Sequence, residues 1–145
     1  MSNVMSINIV REFSAMHVLR DVEKCSRLHG HNYRVEVSIQ GDVNAGTGMI
    51  ANFDDIKAVV DVFDHRLIVD KRDTVSRTEK EHVVNLNHMT YTVPAGDVVE
   101  ISGAATAENI SLEIARRIKK RISSFEYIHI KLWETSNSFV DLIYS

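Results

Sequence analysis

The stretch Cys25-Ser26-Arg27-Leu28-His29-Gly30-His31-Asn32-Tyr33 leads from two closely spaced histidines directly into a strand pattern. From Tyr33 to Gln40 apolar and polar residues alternate, and this period of two is typical of a half-buried β-strand. Residues i and i+2 of a strand point to the same face, so His29 and His31 are predicted to lie side by side. A facing pair of imidazoles suits a metal ion, although a surface pair of histidines would have the same spacing.

The patterns on either side of this stretch predict four strands and two helices. The strands are predicted over residues 7–16, 29–41, 127–134 and 139–144. Asn52 is a suitable cap for a first helix, which should end near Asp64-His65. Thr106 is a suitable cap for a second helix, in which isoleucine recurs every four residues and predicts one buried face.

The order of these elements predicts an α+β fold, an antiparallel sheet that carries its helices on one face. The segment 66–103 has no single pattern. Its charged part, residues 70–81, is expected to be exposed, whereas residues 82–86 and 98–101 can form extra strands. We find neither a repeat nor a linker in the sequence, and we expect residues 1–145 to form one domain.

The composition excludes several classes of function. The chain has 145 residues, 44% of them hydrophobic, and a net charge of -3, which does not suit a nucleic-acid-binding protein. There is no run of eighteen apolar residues and no cationic start before an apolar stretch, so neither a membrane span nor a secretion signal is predicted. The single cysteine excludes an internal disulfide. These features favour a cytoplasmic protein.

His17, at the end of the first predicted strand, is a candidate third ligand beside His29 and His31. Catalytic zinc sites commonly have three protein ligands and an open fourth position. If the first two strands pair, the loop between them brings the three histidines together. Cys25, four residues before His29, then has two alternative roles. As a fourth ligand it would make the site structural; as a thiolate near a metal it would be a base.

Two acidic residues are further candidates. Asp64 precedes His65 at the predicted end of the first helix, where the pair is either an acid–imidazole couple or two unrelated polar residues. Glu134 follows Trp133 on an otherwise apolar strand. Its carboxylate either is exposed or accepts hydrogen bonds from the forked donors of a heterocycle.

Together, these motifs resemble the 6-pyruvoyl-tetrahydropterin synthase family, which includes 6-carboxytetrahydropterin synthase of queuosine and deazapurine biosynthesis. The resemblance covers nearly the whole chain. It is carried by an ordered set of motifs: Phe13-Ser14-Ala15-Met16-His17, Cys25-x-x-x-His29-Gly30-His31-Asn32-Tyr33, Gly48-Met49-Ile50-Ala51-Asn52-Phe53-Asp54-Asp55-Ile56-Lys57, Asp64-His65, Thr106-Ala107-Glu108-Asn109 and Glu134-Thr135.

The resemblance implies a tunnelling fold, in which a four-stranded antiparallel sheet carries two helices. It also implies that subunits close into a barrel as trimers, which often stack into hexamers, with active sites between subunits. The sequence departs from the family between His65 and Thr106, where it is longer than in compact members. We expect an extra hairpin there, which would cover the site or alter assembly.

The resemblance also implies a role for each candidate residue. His17, His29 and His31 would bind Zn²⁺. The general base would be Cys25, with Asp64 and His65 as its partners in proton transfer. The pterin ring would be anchored by Glu134 and Thr106. The expected substrate is 7,8-dihydroneopterin triphosphate.

The spacing between Cys25 and His29 resembles the branch of the family that forms 6-carboxytetrahydropterin with release of acetaldehyde and triphosphate. A lyase of this type is therefore the expected activity. The alternatives are formation of the pyruvoyl product and side-chain cleavage to a hydroxymethyl-dihydropterin. An alternative of another class is a non-catalytic, zinc-stabilised homologue that binds pterins or a protein partner.

Overall fold

The computed structural model describes residues 3–20, 22–87 and 89–145. Its elements in chain order are β1 (Ser6–His17), β2 (His29–Gln40), α1 (Phe53–Asp61), β3 (Arg66–Asp70), β4 (Thr74–Arg77), β5 (Glu81–Leu86), β6 (Met89–Pro94), β7 (Val98–Ile101), α2 (Ala107–Arg121), β8 (Tyr127–Thr135) and β9 (Ser138–Tyr144). No helix among these residues is long and apolar enough to cross a membrane.

The main sheet has six strands in the order β7-β3-β1-β2-β8-β9. Strands β1, β2, β8 and β9 form an antiparallel sheet of four neighbouring strands, as predicted. The prediction of a four-stranded sheet is nevertheless wrong, because β3 and β7 extend it. β3 pairs with the end of β1 in parallel, and β7 pairs with β3 in parallel. The main sheet is therefore mixed rather than antiparallel.

Both helices pack on one face of the main sheet, as predicted. Alternate residues of β1, β2 and β8 are buried in one apolar cluster together with the buried faces of α1 and α2. Ile110, Ile114 and Ile118 of α2 are 0% exposed, so the isoleucine stripe is the buried face of the helix. The residues between the buried ones, such as Glu12 and Arg34, point to the opposite face and are exposed.

The helix caps also follow the prediction. The Asn52 side chain accepts a hydrogen bond from the backbone N–H of Asp54 at 2.8 Å, and the Thr106 hydroxyl accepts one from Asn109 at 3.2 Å. α1 ends at Asp61, however, three residues before the predicted end. A tight turn follows, and its bond from the Asp64 N–H to the Asp61 carbonyl replaces the helical pattern.

Strands β4, β5 and β6 form a separate antiparallel sheet, here called the small sheet. The segment after His65 contains the predicted extra hairpin, β5–β6, and the predicted strands at 82–86 and 98–101. It also forms β4, which completes the small sheet, and β3, which pairs with the main sheet. The small sheet packs through Val84 and Leu86 against Leu67 and Val69 of β3. Ile68, between them, belongs to the core under the helices, so the small sheet covers the opposite face of β3.

The expectation that residues 70–81 are exposed is wrong at two positions. Asp70 is 5% exposed and Thr74 is 8% exposed. The Asp70 carboxylate accepts hydrogen bonds from the backbone and side chain of Arg72, and the Arg72 side chain lowers the pKa of Asp70. A carboxylate that is paired in this way can be buried within a charged segment.

Glu100 of β7 links the small sheet to the main sheet. Its carboxylate accepts two hydrogen bonds from the guanidinium of Arg77 on β4 and lies 3.5 Å from Nδ1 of His82 on β5. The hydrogen bonds from Arg77 hold the pKa of Glu100 below its usual value. The ionised form of Glu100 therefore stabilises the attachment of the small sheet.

We expect Glu100→Gln to lower the free energy of unfolding by about 1 kcal/mol at pH 7, because Arg77 is half exposed and the pair is partly screened. The folded pKa lies below the unfolded one, so the stabilisation is present above the unfolded pKa. It is lost as the pH falls through the folded pKa. Urea denaturation at pH 7 and pH 3 should show a larger difference between the variant and the parent at pH 7 than at pH 3. Glu79→Gln, at an exposed position, is the control; an equal loss at both pH values would contradict the prediction.

Candidate metal centre and active site

The three predicted histidine ligands meet where β1 ends and β2 begins. His17 lies directly opposite His29 in the ladder, and His31 lies opposite Ala15. The ring centroid of His17 lies 4.6 Å from that of His29 and 5.0 Å from that of His31. One nitrogen from each histidine lies within 4.8 Å of the other two. These residues are here called the histidine cluster, and they lie on the face that carries the helices.

Backbone carbonyls orient two rings of the histidine cluster. Nδ1 of His17 lies 2.7 Å from the carbonyl oxygen of Ala105, and Nδ1 of His29 lies 2.7 Å from that of Arg27. A carbonyl oxygen can only accept, so each Nδ1 carries the proton and donates it. In the neutral tautomer with this proton, Nε2 is the nitrogen that carries the free lone pair. This arrangement of a ring N–H on a backbone carbonyl is typical of histidines that bind metals.

Among the described residues, the Nε2 atoms of all three histidines are buried and make no hydrogen bond, although Nε2 of His31 lies 3.2 Å from a carboxylate oxygen of Glu134. Buried polar atoms normally have a partner, so three orphaned nitrogens in one place require an explanation. A metal ion would supply it, because each Nε2 could donate its lone pair. Zn²⁺ suits such a set of nitrogen ligands. The histidine cluster can therefore hold a metal.

Burial lowers the pKa of both His17 and His31, and His31 is the less buried of the two. In both residues burial disfavours the charged imidazolium and outweighs the nearby charge of Glu134, which acts in the opposite direction. Both rings therefore stay neutral at neutral pH. Neutral imidazole is the form that binds metals.

Glu134 lies beside the histidine cluster. Ile128, Ile130 and Leu132 of β8 point to the helix-bearing face, and alternation places Glu134 next in that row. Its Oε1 atom is 3.2 Å from Nε2 of His31, and its side chain is 24% exposed. A partly accessible carboxylate thus stands at the edge of the metal site, as an anchor for a bound heterocycle would.

Cys25 lies in a short 3₁₀ turn, Lys24–Ser26, in the loop between β1 and β2. Its carbonyl oxygen accepts a hydrogen bond from the backbone N–H of Leu19 at 2.7 Å, which ties the loop back towards the end of β1. The thiol is free and half-buried. Within the described part of the chain, Cys25 is not part of the group of atoms that could share one metal.

Asp64 and His65 do form a couple. Nδ1 of His65 lies 2.9 Å from Oδ2 of Asp64. The backbone N–H of Ser14 donates to the Asp64 carboxylate at 2.9 Å, and this bond, followed by that from His65, lowers the pKa of Asp64. His65 has a φ of 58°, unusual for a residue other than glycine, and a backbone outlier of this kind is frequent at functional sites. The His65 side chain is 78% exposed.

The couple and the histidine cluster lie on opposite faces of the main sheet within one chain. His65 lines a cavity of about 570 Å³ together with Ser14, Met16 and Asn32. These three residues alternate along β1 and β2 with the residues that face the helices, so their side chains point away from the histidine cluster. His31 of the histidine cluster also lines this cavity, but among the described residues no hydrogen bond joins His65 to the histidine cluster.

Thr106 and Tyr33 complete the surroundings of the histidine cluster. Thr106 caps α2, and its neighbour Ala105 supplies the carbonyl that orients His17. Tyr33 is 0% exposed, and its hydroxyl lies 3.2 Å from Nδ1 of His17. Sequence reasoning assigned no role to Tyr33. Its spacing of two from His31 nevertheless places it in the same row of the strand, and that signal could have identified it.

The architecture and the histidine cluster define an α+β protein with a candidate metal site at one end of its sheet. Residues 6–143 match the family model of 6-pyruvoyl tetrahydropterin synthase. Over 147 aligned residues the chain is 34% identical to a 6-carboxy-5,6,7,8-tetrahydropterin synthase of Haemophilus influenzae, with 92% of this chain and 96% of that protein covered. Over 118 residues it is 30% identical to a 6-pyruvoyl tetrahydrobiopterin synthase of Dictyostelium discoideum, with 81% and 71% covered.

Solved structures resemble the fold as well. The structure of a Plasmodium vivax 6-pyruvoyltetrahydropterin synthase superimposes with a TM-score of 0.71 at 18% identity, over 98% of both chains. At this identity the match supports the fold alone. The matches in sequence decide the family: the chain belongs to the 6-pyruvoyl tetrahydropterin synthase family of pterin synthase enzymes.

Proposed function

We propose that this protein is a zinc-dependent lyase that converts 7,8-dihydroneopterin triphosphate to 6-carboxy-5,6,7,8-tetrahydropterin and releases acetaldehyde and triphosphate. The observation that carries the proposal is the set of three buried Nε2 atoms in the histidine cluster, which lie close together and make no hydrogen bond within the described part of the chain. The choice of product is supported by the three residues between Cys25 and His29 and by the name of the relative from Haemophilus influenzae.

His17, His29 and His31 would hold the zinc through their Nε2 atoms. A bound zinc ion is a Lewis acid that polarises the oxygens of a substrate and thereby acidifies adjacent C–H bonds. The carbonyls of Ala105 and Arg27 keep two of the ligand rings in the required tautomer. The protein therefore holds the ligand set ready before the substrate arrives.

Cys25 is proposed as the general base. It is absent from the group of potential metal ligands, as a base beside an open three-ligand site should be. A thiolate is the reactive form of cysteine, and a metal cation bound nearby would favour that form. The Cys25 thiolate would accept the proton from carbon.

Asp64 and His65 are proposed to complete the proton transfer in the active site of a second copy of this chain. The proposal of a second copy is supported by the alternation of β1 and β2, which points Ser14, Met16 and Asn32 beside His65 away from the face of the histidine cluster. The ionised Asp64 carboxylate holds the His65 imidazole through Nδ1, which leaves Nε2 to exchange protons with a substrate. This arrangement supports an assembly with shared sites, which we propose to be a trimer or a hexamer.

Glu134 and Thr106 are proposed to bind the pterin ring. The Glu134 carboxylate can accept two hydrogen bonds from the forked N–H edge of the ring. Because Glu134 stands 3.2 Å from His31, a ring held there would direct its side chain towards the histidine cluster. The Thr106 hydroxyl accepts from the Asn109 N–H, and its own proton remains available for a ring acceptor.

The experiment that tests the proposal is incubation of the zinc-loaded protein with 7,8-dihydroneopterin triphosphate, followed by mass analysis of the pterin. We expect a carboxylated pterin together with acetaldehyde, and no product from the protein after removal of zinc by a chelator. Formation of a pyruvoyl or hydroxymethyl pterin would be consistent with the proposed metal site but would contradict the proposed product. No turnover despite bound zinc would support the non-catalytic, zinc-stabilised homologue.

A further inference from the structure

The hydroxyl of Tyr33 is a buried polar group that no step of the proposed function uses. The residue is 0% exposed, and its oxygen lies 3.2 Å from Nδ1 of His17. Among the described residues this is the one hydrogen-bond contact recorded for that hydroxyl. Buried hydroxyls are usually paired, so the contact with His17 is the feature that explains its position.

The tautomer of His17 determines what this contact can be. Nδ1 also lies 2.7 Å from the carbonyl oxygen of Ala105 and must donate its proton there. The phenol oxygen of Tyr33 can then act only as a second acceptor of the same N–H, in a three-centre hydrogen bond. Two acceptors on Nδ1–H hold the proton on that nitrogen and increase the electron density available at Nε2.

Packing fixes the Tyr33 ring independently of the hydroxyl. The ring stacks on Phe13 with centroids 4.9 Å apart and planes 12° apart. It also stands edge-on to His17 at 5.9 Å and to His31 at 5.5 Å. The ring therefore packs against two of the three candidate ligands, and removal of the hydroxyl alone should leave this packing in place.

We propose that Tyr33 is a positioning residue of the metal centre, whose hydroxyl shares the Nδ1 proton of His17 with the Ala105 carbonyl and so keeps Nε2 directed at the metal. The inference rests on the metal site of the proposed function and adds a residue to it. The ligand concerned is a divalent cation that prefers nitrogen donors, such as Zn²⁺. Tyr33 does not touch the cation itself.

The test compares Tyr33→Phe with the parent protein, with Co²⁺ as a spectroscopic probe. We expect the affinity for Co²⁺, measured by competition with a chromophoric chelator, to fall about tenfold. The visible absorption bands of bound Co²⁺ should also change in position or intensity. The melting temperature of the metal-free protein should stay the same, because the ring remains packed and Ala105 still pairs with His17. Tyr144→Phe, on β9, is the matched control and should leave affinity and spectrum unchanged.

Three results would overturn the inference. The first is that the Tyr33→Phe variant binds Co²⁺ with the affinity and the spectrum of the parent. The second is that the substitution lowers the melting temperature of the metal-free protein without any change in the affinity for Co²⁺. The third is that the ¹⁵N chemical shifts of the His17 ring in the metal-loaded parent show no proton on Nδ1. The NMR measurement requires no variant. If the parent itself binds no Co²⁺, the proposed metal site fails as well, so the two failures are distinguishable.

Discussion

Replacement of His29 by alanine is expected to weaken zinc binding by about a hundredfold and to abolish the proposed activity. Structural zinc sites bind with about 10–16 kcal/mol, so one ligand of a small set contributes about 3 kcal/mol. The remaining histidines, His17 and His31, would leave a two-ligand site. His29 is half-buried at the start of β2, so its truncation should spare the core better than that of His17, which is 0% exposed.

The measurement is zinc affinity by chelator competition, together with the melting temperature with and without zinc. In the parent, zinc at a hundred times its dissociation constant should add about 2.7 kcal/mol to the free energy of unfolding, and in His29→Ala this gain should fall to about 0.4 kcal/mol at the same concentration. His129→Ala is the matched control, since His129 pairs with Asp141 on the opposite face of the sheet. Parental affinity in His29→Ala would contradict the assignment of the ligands.

Replacement of Cys25 by alanine is expected to lower turnover by a factor of about 10²–10⁴ and to leave zinc binding unchanged. The physical reason is that a general base acts on the reacting proton and is not needed to hold the metal. The histidine cluster supplies three metal ligands without Cys25, in agreement with a role of Cys25 as a base. Steady-state turnover and bound zinc, measured on the same preparation, separate the two effects.

Ser26→Ala is the control for Cys25→Ala, because Ser26 lies in the same 3₁₀ turn and its hydroxyl donates to the local carbonyl of Glu23. Its turnover should stay near that of the parent. Loss of both zinc and stability in Cys25→Ala would instead indicate a closed structural site of one cysteine and three histidines. A variant with full turnover would remove Cys25 from the mechanism.

The sequence predicted those parts of the site that depend on local geometry. Alternation placed His29 and His31 on one face, and the position of His17 at the end of the preceding strand made it their neighbour. The caps Asn52 and Thr106 were identifiable because capping depends on a side chain and the backbone two or three residues later. The roles of Cys25, Asp64, His65, Glu134 and Thr106 remain predictions.

Tertiary contacts decided what local patterns could not. The parallel addition of β3 and β7, the small sheet and the Glu100–Arg77 link all join residues whose spacing in the chain carries no periodic signal. The carbonyl of Ala105 orients His17 across 88 residues, and a backbone atom has no sequence signature.

The position of His65 likewise follows from a tertiary contact, because after the turn that follows α1 its backbone N–H donates to the carbonyl of Ser14 on β1. Sequence alone therefore determined the four antiparallel strands, the two helices, their caps and the histidines that share a face, because these follow from the repeat of the backbone. The tertiary structure determined the tautomers of two histidines and the face on which each chemical group lies, because both depend on contacts between distant residues.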